Sequence, residues 1–258
     1  MQRTWKALVL TVTVVALIAA SCSSDDEGSG EFTLVTADTL TVCTDAPYPP
    51  MEFEEDGEFT GFDMELMKAI AAEMGLGFAV VNSGFDPITS GAAMVAGDCD
   101  IAAASITITD EREANIDFSA PYFLADQSLL VKGDSGITTL AQTSGQTVAV
   151  QSGTTGEAYA RLTAPSDTEI KSFDNPGDLF VALEAQDVVG VLQDIVVNQD
   201  RADNDTTVVV VETYPTNEFY GFAVKNEGSE LLMMAVNESL SALRRAGTYD
   251  QIFSDWFG

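Results

Sequence analysis

Histidine is absent from this 258-residue sequence. Its absence removes the general base most often used near neutral pH, the Ser/His and Cys/His nucleophile systems, and any histidine-ligated metal site. Most hydrolase chemistry is thereby excluded, and neither a metal nor a cofactor is expected. Basic residues are scarce as well: 11 Lys and Arg stand against 41 Asp and Glu, a formal net charge of −30. A surface this acidic repels nucleic acid and anionic lipid headgroups, so neither is expected as a partner. Solubility, or screening in a salty habitat, is the simplest account of the excess. Cysteine is limited to three positions, Cys22, Cys43 and Cys99, and no internal repeat is present. What is plentiful is apolar surface: 46% of residues are hydrophobic, far from a disordered composition.

The first two dozen residues read as an export signal. Arg3 and Lys6 precede an apolar run from Ala7 to Ala20. That run is about 14 residues, short of the about 20 needed to span a bilayer. It closes in Ala19-Ala20-Ser21-Cys22, which resembles a bacterial lipobox; Ala19 departs from the Leu usual there. The motif implies a signal over residues 1–21 and lipidation of Cys22, with ordinary signal cleavage nearby as the alternative. Residues 22–39 begin with Ser23, Ser24, Asp25 and Asp26 and have the composition of a flexible tether. The expected address is the outer face of the cell membrane, reached only through the lipid anchor. Losing Arg3 and Lys6 leaves 41 acids against nine bases, a net charge of −32. An oxidising compartment permits Cys43 and Cys99 to pair; sequence leaves open whether their Cα atoms come within bridging range.

Beyond the tether the pattern is α/β. Strands are expected at 40–44, 78–81, 101–104, 128–132, 147–150, 169–172, 188–192 and 219–224. The Pro-rich stretch from Asp45 to Met51 must be a loop, and Asp56-Gly57 marks a hairpin tip. Leu66, Met67, Ile70 and Met74 recur at helical spacing after Asp63, a candidate N-cap, and Gly75 stops that helix. Further helices are expected at 92–96, 155–162, 176–184 and from Asp194. Two carboxy-terminal helices split at Gly247 carry the core stripes Leu232, Val236, Leu240, Leu243 and Tyr249, Ile252, Phe253, Trp256, Phe257. Two βαβ series imply two similar lobes with largely parallel sheets.

Three segments place polar groups where strands end, which is where open α/β sheets bind ligands. They are Thr44 to Phe53, Ser105 to Arg112, and Gln151 to Gly156. In the second, Ser105 and Thr107 supply hydroxyls and Arg112 a planar fork able to grip a carboxylate bidentately. A surface ion pair with Glu111 or Asp117 is the plainer alternative. The third, rich in Gly and Thr ahead of a helix, is an anion seat that lacks the Lys of a nucleotide loop. Asp194 follows a strand, placed either to receive an ammonium or to cap a helix.

The run from Thr44 through Asp45, Pro47, Tyr48, Pro49, Pro50, Met51 and Glu52 to Phe53 is followed by Gly61-Phe62-Asp63, Ile106 to Arg112, Asp117-Phe118-Ser119, Ser152-Gly153-Thr154-Thr155 and Gly247-Thr248-Tyr249. In this order, from Leu40 to Gly258, the motifs resemble the family 3 extracellular solute-binding proteins, polar-amino-acid receptors of ABC importers. The resemblance implies the type II periplasmic-binding-protein fold, with lobe 1 at 40–125 and 217–258, lobe 2 at 126–216, and two hinge strands between them. It implies a monomer that closes around a free amino acid and is then recognised by permease subunits. Arg112 would grip the α-carboxylate with donors at Ser105, Thr107 and Thr155, and Asp194 would bind the α-ammonium. Tyr48 and Phe85 would sandwich the side chain, for which plain core packing is the alternative at Phe85, and Asp45 would meet its polar tip. Gln151, placed with these ligand-binding residues, and Gln193 depart from the pattern and leave side-chain selectivity open.

Charge counting narrows the ligand. A zwitterion neutralises Arg112 and Asp194 and leaves Asp45 unpaired, which is costly when buried. A cationic side chain or an amide satisfies it; an acidic ligand is expected to be rejected. The rivals are a dehydratase-type enzyme on the same fold, which needs a spare general acid or base, and a ligand-sensing module, which would continue beyond Phe257-Gly258.

Overall fold

The computed structural model describes residues 32–258; the expected signal, the lipidation site Cys22 and the start of the tether lie outside the described residues. Among the described residues no helix is long and apolar enough to cross a membrane. The order is β1 (Thr39–Thr44), β2 (Phe53–Glu55), β3 (Glu58–Thr60), α1 (Phe62–Glu73), β4 (Gly77–Asn82), α2 (Phe85–Thr89), α3 (Ala92–Ala96), β5 (Ile101–Ala102), α4 (Asp110–Glu113) and β6 (Ile116–Phe118). It continues through β7 (Phe123–Lys132), β8 (Thr147–Gln151), α5 (Thr155–Thr163), β9 (Glu169–Phe173), α6 (Pro176–Glu184), β10 (Gly190–Asp194) and α7 (Ile195–Asn204). The remainder is β11 (Val208–Tyr220), β12 (Ala223–Lys225), α8 (Glu230–Ala246) and α9 (Thr248–Phe257).

Two five-stranded sheets form two lobes, in the order β4-β1-β5-β12-β6 and β11-β7-β10-β8-β9. Each is mixed. The βαβ units run parallel, β1 with β4 and β5, and β8 with β9 and β10. Strands β12, β6, β7 and β11 enter around the crossings between the lobes and pair antiparallel, which the expectation of largely parallel sheets did not include. The longest, β11, pairs with β7 in three stretches separated by register shifts between Val210 and Glu212 and between Tyr214 and Glu218. Only its last residues were expected as strand, because the Val208–Val211 run was not read as an element of its own.

Burial explains the apolar strands. In the second lobe Leu129, Val131, Val148, Val150 and Leu192 pack into one cluster, while Leu130, Ala149, Leu179, Leu183 and Val191 pack into another. Strands covered on both faces need apolar residues at consecutive positions. In the first lobe the α8 stripe Leu232, Val236, Leu240 and Leu243 joins Leu40, Val42, Leu66 and Ile70. Each such side chain contributes about 1.5–3 kcal/mol on burial. Phe62, fully buried, has the rings of Tyr249, Phe253 and Phe257 at 5.2–6.0 Å. The α8 stripe is thus core. Of the α9 stripe Ile252 is buried, Tyr249, Trp256 and Phe257 pack against the core half-buried, and Phe253 stays exposed. Gly247, at φ 79°, separates the two helices.

Asp63 is not the cap of α1. That position belongs to Gly61, at φ 116°, where a Cβ would come 2.3 Å from the Met51 carbonyl oxygen. Asp63 is fully buried and accepts from the Ser105 N–H at 2.9 Å and the Tyr122 hydroxyl at 2.7 Å. The hairpin between β2 and β3 turns through Asp56 and Gly57, both at positive φ, as the Asp-Gly pair requires. Cys43 in β1 is disulfide-bonded to Cys99 ahead of β5, with Cα atoms 5.6 Å apart.

Candidate functional site: an interlobe cavity

The carboxyl ends of β1 and β5 in one sheet, and of β8 and β10 in the other, meet at one crevice. Asp45 and Tyr48 lie on the loop leaving β1, and Ser105 and Thr107 on the segment leaving β5. Gln151 ends β8, Thr155 opens α5 and Asp194 ends β10; Phe85 opens α2. Arg112 projects from α4, whose start is fixed by the Thr109 hydroxyl accepting the Arg112 backbone N–H at 3.2 Å. All nine residues expected at the site line a single small cavity, of about 20 Å³.

Arg112 is 7% exposed, and no carboxylate among the described residues forms an ion pair with it. The surface pairs with Glu111 or Asp117 do not form. Its guanidinium instead donates to the Thr107 carbonyl at 2.8 Å and to the Gly153 carbonyl at 3.1 Å, and lies 5.0 Å above the Phe85 ring. Two of its five N–H donors are thus spent on orientation, and the rest remain for a ligand. Phe85 packs into the hydrophobic cluster of the first lobe while offering that ring.

Bonds cross the cavity from lobe to lobe. The Tyr48 hydroxyl donates to Asp194 Oδ2 at 2.8 Å, and Gln151 Nε2 donates to Asp45 Oδ2 at 2.6 Å. Asp194 also accepts from Tyr220 and from Gln127 Nε2, both at 2.5 Å. It stands before α7 but makes no capping bond. Its lone pairs face the cavity partners instead.

The match to known proteins follows the same span. The model of the bacterial extracellular solute-binding proteins, family 3, matches residues 40–258. This chain belongs to that family. Similar proteins include the ABC transporter glutamine-binding protein GlnH of Bacillus subtilis, 30% identical, with 99% of this chain and 97% of that protein covered. The L-cystine-binding protein TcyJ of Escherichia coli K12 is 28% identical over 97% of this chain and 94% of its own. Among solved structures, an ancestral arginine-binding protein bound to glutamine superposes with a TM-score of 0.80 at 36% identity, covering 86% of this chain and 99% of that one.

In this family 3 solute-binding protein the acids of the cavity are under strain from burial. Burial raises Asp45 to about 6, partly offset by the Gln151 bond. Asp194 is raised by burial and drawn back by Tyr220, Tyr48, Gln127 and Arg112. Burial pulls the Arg112 pKa down, while Asp194 and Glu218 hold it up. Glu52, which sequence reasoning quoted without a role, also lines the cavity and is 1% exposed. Burial and the neighbouring Asp63 push it well above the ordinary glutamate value. The Ser105 hydroxyl donates to Glu52 at 3.0 Å and the Ser105 N–H to Asp63, so both donors expected to serve a ligand carboxylate are already engaged.

Thr154 and Gly156, within the expected segment from Gln151 to Gly156, also line the cavity, as does Gln127, which the sequence did not single out. Gln127 sits one position before the expected strand at 128–132, inside β7. Gly156 is needed for close packing: a Cβ there would come 2.8 Å from Gln127 Oε1 and 3.4 Å from the Gln193 Cα. A glycine just inside a helix start was the one available signal.

Proposed function

We propose that this protein is an extracytoplasmic receptor that captures a free polar amino acid, cationic or amide, between its lobes and delivers it to the permease of an ABC importer. One observation carries the reading: a buried guanidinium, Arg112, without a carboxylate partner, in the same cavity as a buried carboxylate, Asp194. A zwitterion supplies both missing charges. Fixing it between two oriented groups supplies charge-assisted bonds about twice as strong as neutral ones. Thr107 adds a hydroxyl, the Thr155 proton being donated to Glu218 at 3.0 Å. Tyr48 and Phe85 flank the side chain, and Asp45 with Gln151 meets its tip. The bonds from Tyr48 to Asp194 and from Arg112 to Gly153 support closure of the lobes by hinge motion, at β7 and β11, around the ligand.

The lobes in this reading are residues 40–125 with 217–258, and residues 126–216. Cys22 carries the lipid that holds a monomer at the membrane surface. The ligand is bound and released unchanged. With Asp45 in the same cavity as Asp194, there is more acid than Arg112 balances, so an acidic amino acid is rejected. Calorimetric titration with the twenty amino acids tests this. A cationic or amide side chain binds tightest, and Arg112→Ala abolishes measurable capture. Glutamate as the tightest ligand, or capture undiminished in the alanine variant, overturns the reading.

A further inference from the structure

Three glutamines line the cavity, Gln127, Gln151 and Gln193, and the orientation of each amide is dictated by groups that can only accept. Gln193 is fixed by a relay. Asn198 Nδ2 donates to the backbone carbonyls of Ser128 and Val191, both at 3.3 Å, and to Ser128 Oγ at 2.9 Å. The Ser128 hydroxyl is itself donated to the backbone carbonyl of Gln193, so it can only accept from Asn198. Backbone carbonyls cannot donate, so the Asn198 amide cannot be reversed, and its Oδ1 must face Gln193. Gln193 answers with Nε2 at 3.0 Å, which leaves its Oε1 buried and without a partner among the described residues.

The same logic holds at the other two. Gln151 Nε2 is drawn to Asp45 Oδ2 at 2.6 Å and to the Asp174 carbonyl at 3.4 Å. Gln127 Nε2 is drawn to Asp194 Oδ1 and to Glu218 Oε2 at 2.9 Å, and its Oε1 is buried without a partner. Strands β8 and β10 run parallel side by side, so Gln151, the last residue of β8, neighbours Gln193, the last but one of β10. The Gln193 Oε1 thus lacks a donor, the Gln151 NH₂ is spent, and the acids Asp45 and Glu52 line the same cavity, whereas Gln127 serves the Asp194 end with its Oε1 against Gly156.

We infer that the side-chain end of the cavity is richer in hydrogen-bond acceptors than in donors, and therefore prefers a guanidinium to an amide, with Gln193, oriented by Asn198, as a specificity-determining residue. This rests on the amino-acid-receptor reading and narrows it. A guanidinium offers only N–H donors and a positive charge. An amide or ureido side chain offers NH₂ but also a carbonyl, which would oppose the glutamine oxygens with no proton between them.

Arginine and citrulline separate the cases, because citrulline keeps the shape and replaces one charged NH₂ by a carbonyl oxygen. Calorimetric titration of the full chain with arginine, citrulline and glutamine is expected to show arginine tighter than either by about 100-fold or more. Gln193→Met, of similar length without an acceptor, weakens arginine about tenfold and narrows its lead over citrulline; Gln193→Glu, which keeps acceptors, retains the lead. Thermal melting of both variants confirms that they are folded. Citrulline or glutamine binding within threefold of arginine overturns the inference and leaves the receptor reading standing, as does an unchanged lead in Gln193→Met. Binding of another amino acid but none of these three overturns the inference alone, and binding of none of the twenty amino acids by the unmodified protein overturns the receptor reading itself.

Discussion

The hydroxyl of Tyr48 donates to Asp194 Oδ2 at 2.8 Å across 146 positions of sequence, from the loop leaving β1 in one lobe to the end of β10 in the other. It latches the lobes and orients the carboxylate in a single contact. Tyr48→Phe keeps the ring and removes the donor. A hydrogen bond to a charged group is worth about 1.5–3 kcal/mol, so amino-acid affinity is expected to fall about tenfold or more in calorimetry. Unchanged affinity would show that the latch does not contribute to the closed, loaded state.

Arg112 is held by two backbone carbonyls on opposite sides of the cavity, those of Thr107 and Gly153. Lysine keeps the charge and loses the planar fork that reaches both while leaving donors for a ligand. Arg112→Lys is expected to weaken capture by about 100-fold with little change in melting temperature. Full retention of affinity would mean that charge alone suffices.

Asp45 titrates in a range where its burial is visible. Its carboxyl is raised from 3.8 to about 6. Below the unfolded value both states are protonated and nothing is lost. As pH rises from about 4 to about 6, the unfolded chain gives up its proton first, so folded stability declines, and above that range the decline is complete. The shift corresponds to a loss of about 3 kcal/mol at most. Asp45→Asn removes this contribution. Melting curves of ligand-free protein should therefore diverge with pH, the variant gaining on the parent between pH 4 and 7. Parallel curves would show that Asp45 titrates normally.

The disulfide between Cys43 and Cys99 closes a loop with a sequence separation of 56 inside the first lobe. Replacing both cysteines by serine is expected to lower stability by about 2–4 kcal/mol. Amino-acid affinity should change little, since neither residue lines the cavity. An unchanged denaturant midpoint would show that the packing of β1 against β5 suffices without the bond.

Much of the fold was readable because the physics behind it is local. The loop from Asp45 to Met51 follows from proline, the α8 stripe from helical spacing, and the turn at Asp56-Gly57 from its positive φ angles. Most of β11, from Val208 onward to its last residues, was not read, and neither was α2. A short helix such as Phe85–Thr89 has too few residues to show a period. The strand ends were legible as places, so nine residues could be named that all line the cavity. Glu52 and Gln127 were passed over because nothing in their neighbours distinguishes a buried acid or amide from an exposed one.

The sequence by itself determined the α/β alternation, the missing histidine chemistry, the arginine placed after a strand end and the family to which the chain belongs. Periodicity, turn chemistry and residue inventory act over a few positions and survive in one dimension. Only the tertiary structure decided which donors are free. Ser105 turned out to be engaged by Glu52 and Asp63, and Gln193 to be turned by Asn198 so that its carbonyl is left unpaired. A hydrogen bond has one donor and one acceptor at about 3 Å, and which groups compete for it depends on chain segments folded together from far apart in the sequence.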